Sequence, residues 1–229
     1  MKTAGRAQKT AARRAWVDTR WALALALLAA NSTVAARDPD PTVTVRLYNY
    51  ARVPSGVLGG ALSEATRIFS AAGVDLVWLD CVDPWSQSRL GSASTEPAGK
   101  AGCDGQVRGA TVVLQILPRS TPVSKASPDA MFGFATGSDL AAVFYGRVQD
   151  LAWGAARNEI PLILGAVMAH ELGHLLLGAN SHSPSGIMCA KWDREYVRLA
   201  LRGYQHFSPE QSASLREAVV RRQKGIVQP

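Results

Sequence analysis

His170-Glu171-Leu172-Gly173-His174-Leu175-Leu176-Leu177-Gly178-Ala179-Asn180-Ser181-His182-Ser183-Pro184-Ser185-Gly186-Ile187-Met188 is the stretch on which the fold turns. It closes an apolar run that starts at Ile160, has Pro161 in its first turn and meets Gly178 at its end. Those are start and stop signals of a helix, predicted over Ile160–Leu177. Leu162, Ile163, Leu164, Val167, Met168, Leu172, Leu175 and Leu176 cover nearly its whole circumference, so the helix belongs in a core. Imidazoles and a carboxylate on a core helix are costly unless they are paired or bind a metal.

His170 and His174, four residues apart, lie on one helix face and can aim ring nitrogens at one ion. Zinc suits two imidazoles, a third ligand and a water. Glu171 is then placed to reach that water as the general base, and later to protonate a leaving amine. The chain has 4 histidines, and three fall inside this stretch. His182 follows the turn at Gly178 and is the expected third ligand; Glu195, Asn180 and Asp193 are its rivals.

Elsewhere the pattern is mixed. Thr42–Tyr50 alternates as a strand, with Val43, Val45 and Leu47 on one side. Ser55–Ala72 carries apolar residues at helical spacing and stops at Gly73. Val74–Leu79, Ala110–Leu117, Met131–Ala135 and Leu140–Val148 read as further strands. Asp80–Arg108 and residues 118–130 read as loops, and the segment between Met188 and Ser208 as irregular. Ser208-Pro209-Glu210-Gln211 is a capping box that opens a last helix running to about Arg222. The order predicts one mixed α/β layered domain.

The chain has 229 residues and a formal charge of +7. Residues 1–36 hold six basic side chains against Asp18 alone, so the charge is largely that of a leader, and a nucleic-acid role has little support. The basic start, the apolar run Trp21–Ala30 and the small residues Val34-Ala35-Ala36 have the layout of a secretory signal peptide. Residues 1–36 are therefore expected to be removed, leaving a single catalytic domain over 37–229, secreted or periplasmic, with no membrane span. In an oxidising compartment Cys81 and Cys103, flanking one polar loop, are the favoured disulfide, and Cys189 is the odd thiol.

With Gly178, His182 and Met188 following the helix, the segment resembles the metzincin zinc metallopeptidases. The motif covers 170–188, and the layout of elements covers about 43–222. The family places its glycine three residues and its third histidine six residues after the second histidine. Here the spacings are four and eight. Ala190 stands where some members carry a tyrosine two residues past the methionine. The resemblance implies a zincin-like twisted mixed sheet with a backing helix, a central zinc helix and a C-terminal helix. It implies Zn2+ held by His170, His174 and His182, with Met188 in a methionine turn beneath it. It also implies a secreted endopeptidase taking a peptide or protein substrate on a strand edge, for which Leu140–Val148 is the first candidate and Met131–Ala135 the second. The wall Ser183–Gly186 would shape side-chain preference. Two other readings share these residues: a zinc-stabilised extracytoplasmic binding module without turnover, and a zinc amidase acting on cell-wall peptides. Glu171 argues against the first, since a structural site needs no base.

Overall fold

Alternation of branched apolar residues makes strand β1, Thr42–Asn49, with Val43, Val45 and Leu47 buried and the residues between them half-buried. The computed structural model describes residues 40–81, 103, 109–119, 132–152 and 159–225. The expected leader, most of the residues expected as loops after Cys81 and Arg119, and Trp153 lie outside these residues. Helix α1, Ser55–Ala71, follows β1 and buries Ala61, Ala65, Ile68 and Phe69. It crosses over to β2, Asp75–Cys81, which pairs parallel with β1 from Thr42↔Asp75 to Tyr48↔Cys81. On the other side of β1 runs β3, Thr111–Leu117, also parallel.

The next two strands depart from the sequence reading. β4 spans Gly133–Thr136 and β5 spans Leu140–Phe144, joined by a three-residue turn and paired antiparallel. The apolar run 140–148 is not one strand. Its second half is helix α2, Tyr145–Leu151. β5 ends opposite Leu117, where β3 gives way to Pro118, a residue with no amide proton to extend the ladder. The Pro118 carbonyl instead accepts the Gly146 N–H at 2.7 Å, and Val148 becomes a buried residue of the helix.

The five strands stand in the order β2-β1-β3-β5-β4, so β5 is interior and β4 forms an edge. Behind the sheet runs α3, Ile160–Leu177, with every residue from Ile163 to Leu176 buried. By length and composition alone α3 could cross a membrane, but here it is the core helix, packed on α1, β4 and β5. A short helix α4, Arg194–Leu201, lies in the segment read as irregular; the Asp193 side chain caps it by accepting the Tyr196 N–H. Helix α5, Pro209–Gln223, opens with the expected capping box of Ser208 and Gln211. It straps the domain: Arg216 donates to the Ala72 carbonyl at 2.6 Å, and Arg222 donates to the Leu175 carbonyl near the C-terminus of α3. Cys81 and Cys103 form the expected disulfide, and Cys189 is free.

Candidate metal centre

α3 carries two histidines on the face that looks out beneath the sheet edge. Nε2 of His170 and Nε2 of His174 lie 3.0 Å apart. Gly178, the C-cap with φ 98°, turns the chain out of the helix and back, and Nε2 of His182 comes to 3.1 Å from that of His174. The longer spacing from His174 to His182 therefore still closes the triangle. Glu195 and Asp193 are not part of this group: Glu195 pairs with Arg198 on the exposed face of α4, and Asp193 is occupied as its cap. Asn180 is exposed at the turn.

The remaining ring nitrogens decide what this triangle can hold. Nδ1 of His170 donates to the Ile187 carbonyl at 2.8 Å. Nδ1 of His174 faces the Gly178 carbonyl at 3.3 Å and the Ser181 hydroxyl at 3.1 Å. A carbonyl only accepts, so these contacts put the ring proton on Nδ1 and leave a lone pair on Nε2. Two lone pairs facing each other at 3.0 Å repel unless a cation sits among them. Three imidazole nitrogens with about 2.0–2.1 Å bonds to zinc, tetrahedrally arranged, would stand close to this far apart. The group fits a zinc-sized ion. Burial moves His170 the same way: desolvation lowers its pKa to about 4, so the neutral, metal-ready ring prevails at neutral pH. Desolvation also lowers His174.

Glu171 is buried, and no hydrogen bond or ion pair from a described residue reaches its carboxylate. Burial pushes its pKa up to about 8. The contrast with Glu64 is instructive. That carboxylate is equally buried but is clamped by Arg67 at 2.7 and 2.8 Å. Glu171 instead opens into a cleft of about 300 Å³ that it shares with the three histidines. A buried carboxylate with no partner among the described residues, beside a cavity, is costly to the fold, and such groups concentrate at functional sites.

Two glycines make room. At Gly133, on β4, an added Cβ would lie 2.4 Å from the Ala142 carbonyl oxygen and 2.7 Å from Cγ of Glu171. The strand edge can run over the carboxylate only because that position has no side chain. At Gly173, between the two helix histidines, a Cβ would lie 2.6 Å from Sδ of Met188. Met188 is wholly buried there against the helix, as a floor residue would be. The turn that carries it is fixed by Ile187 N–H to the His206 carbonyl at 2.9 Å and Ser183 N–H to the Met188 carbonyl at 2.9 Å.

Several neighbours escaped the sequence reading. Trp192 is the first of them. It lines the cleft, meets the His170 ring edge-on at 5.8 Å between centroids and packs on Phe132 at 5.6 Å. Phe134 and Val167 line the same cleft. The Tyr196 hydroxyl donates to the Ile187 carbonyl at 3.1 Å, the acceptor that also orients His170. The Trp192 contacts are long-range and the Tyr196 contact spans nine residues, so none shows in local spacing. Cys189 lies half-buried with its thiol near the Pro184 and Lys191 carbonyls.

No protein-family model and no curated protein matches this sequence. Solved structures do. A zinc-dependent peptidase from Methanocorpusculum labreanum (strain Z) is 17% identical, with 75% of this chain and 99% of that chain aligned and a TM-score of 0.49. Archaemetzincin from Methanopyrus kandleri is 16% identical, with 82% of this chain and 100% of that chain aligned and a TM-score of 0.50. The sequence likeness is too low to carry an activity across. With archaemetzincin the chain shares its fold: a mixed sheet, a backing helix and a central histidine-bearing helix.

Proposed function

We propose that this protein is a zinc-dependent peptidase, with the metal held by His170, His174 and His182 and Glu171 as its general base. One observation carries the reading: a buried carboxylate with no partner among the described residues opens into the same cleft as three converging imidazole nitrogens. A structural metal site would be closed by four protein ligands and would have no use for such a group. The fold shared with archaemetzincin is consistent with this reading.

A bound zinc supplies Lewis acidity toward a water and a peptide carbonyl. The chain's own residues do the rest. Glu171 accepts the proton of the attacking water and returns it to the leaving amine. The Ile187 carbonyl holds His170 in its tautomer. β4 is the sheet edge over the cleft, with β5 on one side only, and it offers an extended peptide backbone hydrogen bonds. The first expected edge, 140–148, is excluded, since β5 lies between β3 and β4. Phe134, Val167 and Trp192 make the described wall apolar, which favours an apolar side chain beside the scissile bond. The leader and the Cys81–Cys103 disulfide support export to an oxidising compartment, with Arg37 as the expected N-terminus of the exported form.

The test is hydrolysis of a mixed peptide library by the zinc-loaded chain and by its Glu171→Gln variant. The reading predicts cleavage by the native chain, a loss of roughly 10²–10⁴-fold in the variant, and equal zinc in both. Equal turnover by the two proteins would remove Glu171 from the chemistry. Zinc in both with no cleavage of any peptide would favour a binding module.

A further inference from the structure

Beyond the three histidines and Glu171, we infer that Ser181 is a positioning residue that sets the tautomer and direction of His174 for metal binding. The inference rests on the metal site proposed above.

The Ser181 hydroxyl makes two contacts. It donates to the Gly178 carbonyl at 2.7 Å, and it lies 3.1 Å from Nδ1 of His174. A hydroxyl has one proton and two lone pairs. The Gly178 carbonyl can only accept, so the proton goes there, and the Ser181 oxygen is left as an acceptor toward His174. Nδ1 of His174 must then carry its ring proton, and Nε2, aimed at the other two histidines, must be bare. Were the serine proton turned toward Nδ1 instead, Nε2 would hold the hydrogen and could not ligate. The Gly178 carbonyl alone is a weaker anchor for the ring, at 3.3 Å.

The local sequence explains why a side chain is needed. His170 is oriented by a backbone carbonyl of the methionine turn, close and buried at 2.8 Å. His174 lies at the end of α3, where the chain leaves through Gly178, and no comparably close carbonyl faces its Nδ1. The spacing of eight residues from His174 to His182 leaves three residues between Gly178 and His182, and the last of them, Ser181, folds back over the helix end. Gln211 of α5 reaches the Ser181 carbonyl at 3.4 Å from the far side. The longer linker thus brings both the third ligand and the group that orients the second.

The experiment measures zinc affinity of the full chain by competition with a chelator, together with the visible spectrum of the cobalt-substituted protein. Variants are Ser181→Ala, Ser181→Val and Ser181→Thr, with Ser183→Ala as control. Ser183 lies in the same loop, but its hydroxyl donates to the Ser185 carbonyl. Loss of an outer-shell partner of this kind lowers metal affinity by about 10–100-fold. The inference predicts such a loss, near tenfold, with an altered cobalt spectrum, for Ser181→Ala and Ser181→Val. Ser181→Thr, which keeps the hydroxyl, and Ser183→Ala should bind within about twofold of the native chain, on the same scale. If Ser181→Ala fails to fold, the Thr and Val pair, alike in shape and different in the hydroxyl, decides alone. Native affinity in Ser181→Val, or equal weakening in Thr and Val, overturns the positioning role while leaving the metal site standing. No zinc binding by the native chain overturns both.

Discussion

At the residue scale, the site is a set of conflicts that a metal resolves. Two imidazole lone pairs face each other at 3.0 Å, and a buried carboxylate without a partner among the described residues lies beside them. These conflicts make the metal-free chain sensitive to pH in two opposite ways. Glu171 holds its proton more tightly in the folded chain, at about 8 against an ordinary carboxylate value of 4.5. That gain is fully present below 4.5 and is lost as pH rises through 8. His170 does the reverse, with a folded value of about 4 against 6.5, so its contribution is present above 6.5 and is lost as pH falls through 4. Denaturant melts of metal-free protein should therefore show Glu171→Gln gaining on the native chain across the range 4.5 to 8, by on the order of 2–4 kcal/mol at its upper end. A constant difference over that range would mean that Glu171 is solvated. The motif residues were legible from spacing alone, since two histidines four apart on an apolar helix have little other use. Ser181, Trp192 and Gly133 were not, because each acquires its meaning from a neighbour that only the folded chain supplies.

At the element scale, α3 was the easiest part to read and the most constrained. Its continuous apolar surface predicted burial, and Gly178 predicted its end; the structure has both. Gly173 shows how little slack remains. Gly173→Ala would place a methyl group against Sδ of Met188 and, at 3.0 Å, the Phe207 ring. The variant should lose about 1–3 kcal/mol in a denaturant melt, the usual cost of overpacking, even though alanine is the better helix former. A more stable variant would mean that Met188 does not rest on the helix. The strands nearest the site were harder. The apolar run 140–148 satisfies strand and helix alike, and its division at Phe144 depends on Pro118, just past the end of β3. That division matters for function, since it leaves β4 rather than β5 to face a substrate. Helix α4 was missed for a smaller reason: eight residues are too few for periodicity to outweigh their charge, although Asp193 as N-cap was there to be seen.

At the scale of the whole molecule, the sheet fixes the edge over the cleft, the central helix fixes two ligands, and the chain after it folds back to add the third. The disulfide lies at the far end of the sheet order, on β2, while the metal site lies by β4. Stability and metal binding should therefore separate. A Cys81→Ser/Cys103→Ser protein should lose roughly 2–4 kcal/mol of stability, as removal of a loop-closing crosslink does, and keep native zinc affinity. Weakened zinc binding there would show that the two ends of the sheet are coupled. Zinc should in turn raise the melting temperature of both forms, since a ligand that binds only the folded chain stabilises it by mass action.

The most direct test of the account is the zinc content and affinity of the full chain beside His182→Ala. The account predicts one zinc per native chain, and an affinity lower by orders of magnitude once His182 is gone, because two helix imidazoles alone leave the ion under-coordinated. A native chain that binds no zinc, or a His182→Ala chain that binds it as tightly as the native one, would contradict the three-histidine centre on which every other step depends.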